Sequence, residues 1–95
     1  MSKLTKLARG RECQVRLSCC NHNVETTVLA HYRLAGTCGI GMKPNDLQGA
    51  WACSACHDEI DRRTRNFDNE FVRLAHAEGV MRTIDILIKE AAIKL

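Results

Sequence analysis

Six cysteines and four histidines are the side chains of this 95-residue chain best equipped for chemistry. Cys53 and Cys56 enclose only Ser54 and Ala55, so both thiolates can reach one ion from a tight turn. Such a knuckle is half of a tetrahedral zinc site. The strand-helix surroundings of a redox Cys-x-x-Cys pair are missing, which favours metal ligation. Two more ligands must come from elsewhere. Cys13 and Cys20 are far enough apart for a loop that returns to one ion. Cys19 is less favoured, because adjacent cysteines point differently, and His22 is an outside alternative. Cys38, in a glycine-rich loop, reads as a spare thiol. Closure by four protein ligands makes such a site structural, with no open position for reaction.

These ligands need elements to position them. Ninety-five residues make one domain, with four aromatic residues besides histidine: one Trp, one Tyr and two Phe. A core that thin calls for a staple. No stretch approaches the length of a membrane span. The basic start, MSKLTKLARGREC, lacks the apolar run of a secretory signal, so the expected compartment is the cytosol, where disulfides are rare. Residues 1–12 read as a basic segment, with Lys3, Lys6, Arg9 and Arg11 suited to a polyanion. Residues 24–32 (VETTVLAHY) alternate enough for a strand. Gly36, Gly39, Gly41, Pro44, Asn45 and Asp46 make 33–48 a long loop. Residues 49–52 suit a second strand, and 57–64 a short helix with acids first and arginines last. In the last third, Phe67, Phe71, Leu74 and Ala75 form one helical stripe. Gly79 breaks it, and Val80, Ile84, Leu87, Ile88 and Ala91 form another. Two helices in a hairpin are therefore expected over 65–95, packed on a core at 13–64. His76, in the first of them, reads as a surface or packing histidine.

Strand, long loop, strand and helix, with His31 ending the first strand and His57 opening the helix, is the plan of a ββα-metal phosphodiesterase site. Hydrolysis of a phosphodiester needs a base for water and a cation for the developing charge. Imidazole titrates near neutrality and suits the first task. A histidine with the nearby carboxylate Asp46 suits the second.

The stretches Leu29–Arg33, Pro44–Leu47 and Cys53–His57 resemble the HNH endonuclease pattern. The runs ARGRECQVRL, ETTVLAHYRL and CSACHDEIDRRT are similar, more closely, to the small phage and prophage YbcO-like nucleases, which relate to Ref-type RecA-dependent nucleases. The resemblance is close over roughly residues 8–64 and weaker beyond. It implies an α+β fold: a zinc-stabilised ββα-metal core with two C-terminal helices on it, acting on DNA. His31 matches the general base and His57 a ligand of the catalytic metal, Mg²⁺ or another divalent ion. The middle position falls at Asn45 or Asp46; Asp46 is favoured because Leu47 and Gln48 follow it. Cys53 and Cys56 match the zinc knuckle, and Cys13 and Cys20 the earlier pair. Arg9, Arg11, Arg33 and Lys43 are candidate phosphate contacts, and a recombinase filament is an implied partner. Ala30 stands where many HNH enzymes carry a metal-binding Asp. That departure favours a rival expectation, a zinc-stabilised DNA- or protein-binding module without catalysis. A third is an adaptor that docks through its C-terminal helices.

Overall fold

The computed structural model describes residues 3–39, 41–42 and 44–92. Its elements are α1 (Lys3–Leu7), β1 (Val28–His31), β2 (Gly49–Ala52), α2 (Ser54–Ile60) and α3 (Asn69–Lys89). The fold is α+β: β1 and β2 pair antiparallel, with Val28 opposite Ala52 and His31 opposite Gly49. No helix among the described residues is long and apolar enough to cross a membrane.

The first strand is shorter than the alternation over 24–32 suggests. Val24–Thr26 coil into a 3-10 turn instead, because the Asn23 side chain accepts from the Glu25 N–H and caps it. Polar side chains at such positions compete with strand pairing for the backbone. The long loop over 33–48 ends in a second 3-10 turn, Asp46–Gln48, capped in the same way by Asn45. The helix expected over 57–64 starts earlier, inside the knuckle. Cys53 is its N-cap, and its Sγ accepts from the Cys56 N–H at 3.4 Å.

The expected helical hairpin is corrected: α3 runs unbroken through Gly79 for 21 residues. Its buried stripe is Val72, His76, Gly79, Thr83 and Leu87, whereas Phe71 and Leu74, expected to face the core, are more than half exposed. The reason lies in β2. Ala50 and Ala52 leave a shallow surface, and α3 comes close enough that a Cβ on Gly79 would lie 3.1 Å from Val15 Cγ2 and 3.2 Å from the Gln14 carbonyl oxygen. Glycine costs a helix about 1 kcal/mol relative to alanine, and the close approach offsets that. The two buried polar residues of the stripe also bind the sheet. Thr83 Oγ1 accepts from the Trp51 N–H at 3.1 Å and donates to the Gly79 carbonyl. His76 donates to the Ala30 carbonyl at 2.8 Å. On the other edge of the packing, the Gln14 N–H donates to the Trp51 carbonyl at 2.7 Å.

Opposing gains and losses make Gly79 a graded test. Gly79→Ala gains helix propensity and must push a backbone carbonyl by a few tenths of an ångström, so its stability should stay within about 1 kcal/mol of wild type. Gly79→Val adds branches where there is no room and should lose about 2–3 kcal/mol in urea unfolding. A valine variant as stable as wild type would show that α3 does not sit this close to β2.

Two core clusters flank the sheet. One joins Val15, Leu17, Ala30, Ala50, Ala52 and Val72 to Cys53 and Cys56. The other joins Ala8, Leu29, Trp51 and Leu87, with Leu4 and Leu7 of α1 against it. In the last turn of α2 sits Glu59, fully buried. Its carboxylate accepts from the Thr64 hydroxyl and from the Asn66 and Phe67 N–H groups. The Thr64 hydrogen bond, ahead of the opposing cost of burial, holds its pKa below the ordinary carboxylate value. A depressed native pKa contributes stability above the unfolded pKa and loses it as pH falls through the native one. Melting temperature should therefore fall below about pH 4.5, and Glu59→Gln should melt lower at neutrality and flatten that acid limb. An acid limb as steep in Glu59→Gln as in wild type would assign it to other carboxylates.

Candidate functional site: a thiol cluster beside a histidine cleft

The Sγ atoms of Cys13, Cys20, Cys53 and Cys56 all lie within 4.8 Å of one another. Two elements bring them together. The loop before β1 turns back at Arg16, which adopts a left-handed φ of 59°, and delivers Cys13 and Cys20. The start of α2 delivers Cys53 and Cys56. Cys20 Sγ and Cys53 Sγ are 3.6 Å apart, close to the edge of about 3.8 Å set by a tetrahedron of Zn–S bonds of about 2.3 Å. The cluster could hold a metal ion. A hydrogen bond from Cys56, the largest effect, lowers the Cys13 pKa to about 4. The same bond, with burial, pushes Cys56 well up, and burial chiefly raises Cys20 to about 11. The alternatives fall outside the cluster. Cys19 Sγ lies 4.0 Å from the Ala55 carbonyl oxygen, and His22 Nδ1 lies 3.9 Å from Cys20 Sγ. Cys38 Sγ points to the Leu34 carbonyl oxygen at 3.7 Å.

The second feature is a cleft of about 200 Å³ between β1, the end of α2 and the first half of α3. His31, Arg33, Asp61, Arg73 and His76 line it, together with Tyr32. His31 Nε2 is 2.8 Å from Asp46 Oδ1, so the 3-10 turn that ends the long loop presents its first residue to the last residue of β1. His57 Nε2 lies 3.3 Å from Asp61 Oδ2, one helical turn on. His57 thus meets the cleft through Asp61.

Asp46, expected beside His57 as a ligand of the catalytic metal, is hydrogen-bonded to His31, and His57 is paired with Asp61, a residue that motif reading passed over. The i, i+4 spacing of His57 and Asp61 was already contained in the helix expected over 57–64. His76 is buried, as expected of a packing histidine, and burial, its largest influence, lowers its pKa. Its place in the cleft depends on the register of α3 and had no sequence signal. Of the candidate phosphate contacts, Arg33 lines the cleft and Arg9 is exposed. Arg11 is committed elsewhere, paired with Glu90 and stacked 5.0 Å over the Trp51 ring. Lys43 lies outside the described residues.

A small α+β scaffold carrying a four-thiol cluster and a polar, histidine-lined cleft is the class of protein defined here. A family model described as "Putative nuclease YbcO" matches residues 2–92, and the chain belongs to that family. It is 57% identical over 95 residues to "Putative nuclease YbcO" of Escherichia coli strain K12, covering 99% of each chain. It is equally similar to "Putative nuclease ybcO" of Enterobacteria phage 82, again 57% identical with 99% of each covered. Among solved structures it is similar to one described as a "putative bacteriophage protein" from Escherichia coli K-12 MG1655, with a TM-score of 0.80 and 52% identity over 93% of this chain and 99% of that one.

Proposed function

We propose that this chain is a metal-dependent DNA endonuclease of the HNH type, built on a structural zinc site at Cys13, Cys20, Cys53 and Cys56. The observation that carries the reading is the 2.8 Å hydrogen bond between His31 Nε2 and Asp46 Oδ1 on a histidine facing an open cleft. A carboxylate on Nε2 fixes the imidazole's orientation and favours a proton on that nitrogen. Nδ1 is then the lone pair that takes a proton from water, and Asp46 stabilises the imidazolium that results. Asp46 thus orients the base, a different task from the metal ligation that the resemblance implies.

The carboxylate missing at Ala30 is supplied by Asp61. His57 and Asp61 offer one nitrogen and one oxygen 3.3 Å apart, near the separation of about 3 Å between neighbouring donors of a small divalent ion. These two residues would hold the catalytic ion, which supplies charge stabilisation for the phosphate and the leaving oxygen. The name shared by the relatives supports nuclease activity, and the donor set supports the metal-dependent form. DNA would be held through its backbone, so affinity should drop steeply with salt. The test is nicking of supercoiled plasmid with Mg²⁺ or Mn²⁺ by wild type and by His31→Ala, each with its zinc retained. Equal cleavage by both sinks the reading.

A further inference from the structure

Several arginines near the cleft, though not lining it, are already spent within the protein. Arg62 donates to the Phe67 carbonyl at 3.1 Å, and Arg63 pairs with Asp58 and Asp61. Arg82, further along α3, donates to the Gln14 carbonyl at 2.7 Å. Arg73 is different. It lines the cleft that His31 and Asp61 also line, and no carboxylate or carbonyl among the described residues takes its N–H groups. Its guanidinium carbon instead lies 5.1 Å from the centre of the Tyr32 ring. A cation over an aromatic face is held in place while its planar donors stay available.

Tyr32 is itself anchored. Its N–H donates to the Gln48 carbonyl at 2.7 Å, and its ring packs 5.0 Å from the His76 ring, tilted by 52°. His76 in turn donates to the carbonyl of Ala30, the residue before His31. A continuous relay thus runs from the backbone at His31 through His76 and Tyr32 to the guanidinium of Arg73. It ties the position of that cation to the position of the histidine. Every link joins α3 to the end of β1, so the relay exists only in the folded chain.

We propose that Arg73, beside Arg33, is a phosphate-binding cation of this cleft, its guanidinium donating to the non-bridging oxygens of a phosphodiester presented to His31, with Tyr32 and His76 as positioning residues. The inference deepens the nuclease reading and rests on it for the identity of the substrate. Guanidinium suits the task because its fork matches two phosphate oxygens at once, where an ammonium meets them as a point charge.

The experiment uses the zinc-loaded full chain and two probes. Bis(4-nitrophenyl) phosphate has no groove or flanking backbone, so it reports only contacts to the reacting phosphodiester. A short fluorescein-labelled DNA duplex, with Ca²⁺ in place of the catalytic ion, reports binding by anisotropy across a salt series. Arg73 is exposed, so Arg73→Ala should fold and melt as wild type does. It should lose about 10²–10³ in kcat on the small diester, the scale of one removed charge-stabilising donor. Its salt slope on DNA should fall by about 1, one phosphate contact. Arg73→Lys should restore the slope but little of kcat. Tyr32→Leu should lower kcat part of the way, and its effect should be non-additive with Arg73→Ala.

Wild-type turnover and wild-type salt slope in Arg73→Ala would overturn the proposal. So would full rescue of kcat by lysine, which would leave a general charge effect. An inert wild type would sink the nuclease reading instead, and the salt slope alone would then decide whether Arg73 touches phosphate.

Discussion

Stripping the metal from purified protein should abolish its cooperative thermal transition. The expectation comes from comparing two magnitudes. Structural zinc in finger peptides contributes an apparent ~10–16 kcal/mol to folding, whereas whole domains are stable by only about 5–15 kcal/mol. Little in this core could replace it. Much of the cluster that includes Cys53 and Cys56 is alanine, with Ala30, Ala50 and Ala52 between the sheet and α3. Without the ion, four half-buried or buried thiols must share too few hydrogen-bond partners in a space shaped for a tetrahedron. Purified protein should contain one zinc per chain. Cys53→Ser and Cys56→Ser should each lower the zinc content and leave the chain unfolded or insoluble at 37 °C. Cys38→Ser and Cys19→Ser should keep the metal and most of the stability, since neither sulfur belongs to the four-thiol group. Zinc-free protein whose melting is unchanged by a strong chelator would dismiss the staple altogether. Loss of zinc in Cys19→Ser, with retention in Cys20→Ser, would move one ligand by a residue.

Replacing His31 by alanine should reduce plasmid nicking by about 10²–10⁴, the range for one positioned general base. The fold should tolerate the change. His31 is the last residue of β1 and half-buried, and its strand partner is Gly49, so no side chain packs across from it. Asp46→Asn keeps the size of its side chain and loses the charge that stabilises the imidazolium. Its cost should be smaller, about 10–100-fold, the scale of an orienting partner behind a functional histidine. The order of the two effects separates this arrangement from one in which Asp46 binds the catalytic ion directly. In that case Asp46→Asn would raise the Mn²⁺ concentration needed for half-maximal rate, and here it should leave that concentration nearly unchanged. His57→Ala and Asp61→Asn should instead raise it together. A comparison at saturating Mn²⁺ therefore assigns each carboxylate to one partner.

The chemistry of this chain was more legible than its packing. Ligand identity in a thiolate cluster is carried by residue type and short spacing, so Cys53 and Cys56 announced a knuckle, and Cys13 and Cys20 could be matched to it by loop length. His31 was singled out by its place at the end of a β-branched, alternating stretch and Asp46 by the resemblance, and it took the structure to put the two 2.8 Å apart. The helices were harder. Phe71 and Leu74 carry the strongest apolar signal in α3, yet they face outward. Periodicity reports which residues would prefer burial, and it cannot report how closely another element approaches.

The sequence alone marked the four cysteines that cluster and the α+β class, because those depend on chemistry confined to a few neighbouring residues. Tertiary structure decided that Gly79 continues a helix, that Asp61 accompanies His57, and that Arg73 reaches the cleft through Tyr32 and His76. The first and the last of those depend on the distance between α3 and the sheet. That distance is set by small side chains contributed from several separate segments, and no local stretch of the chain contains it.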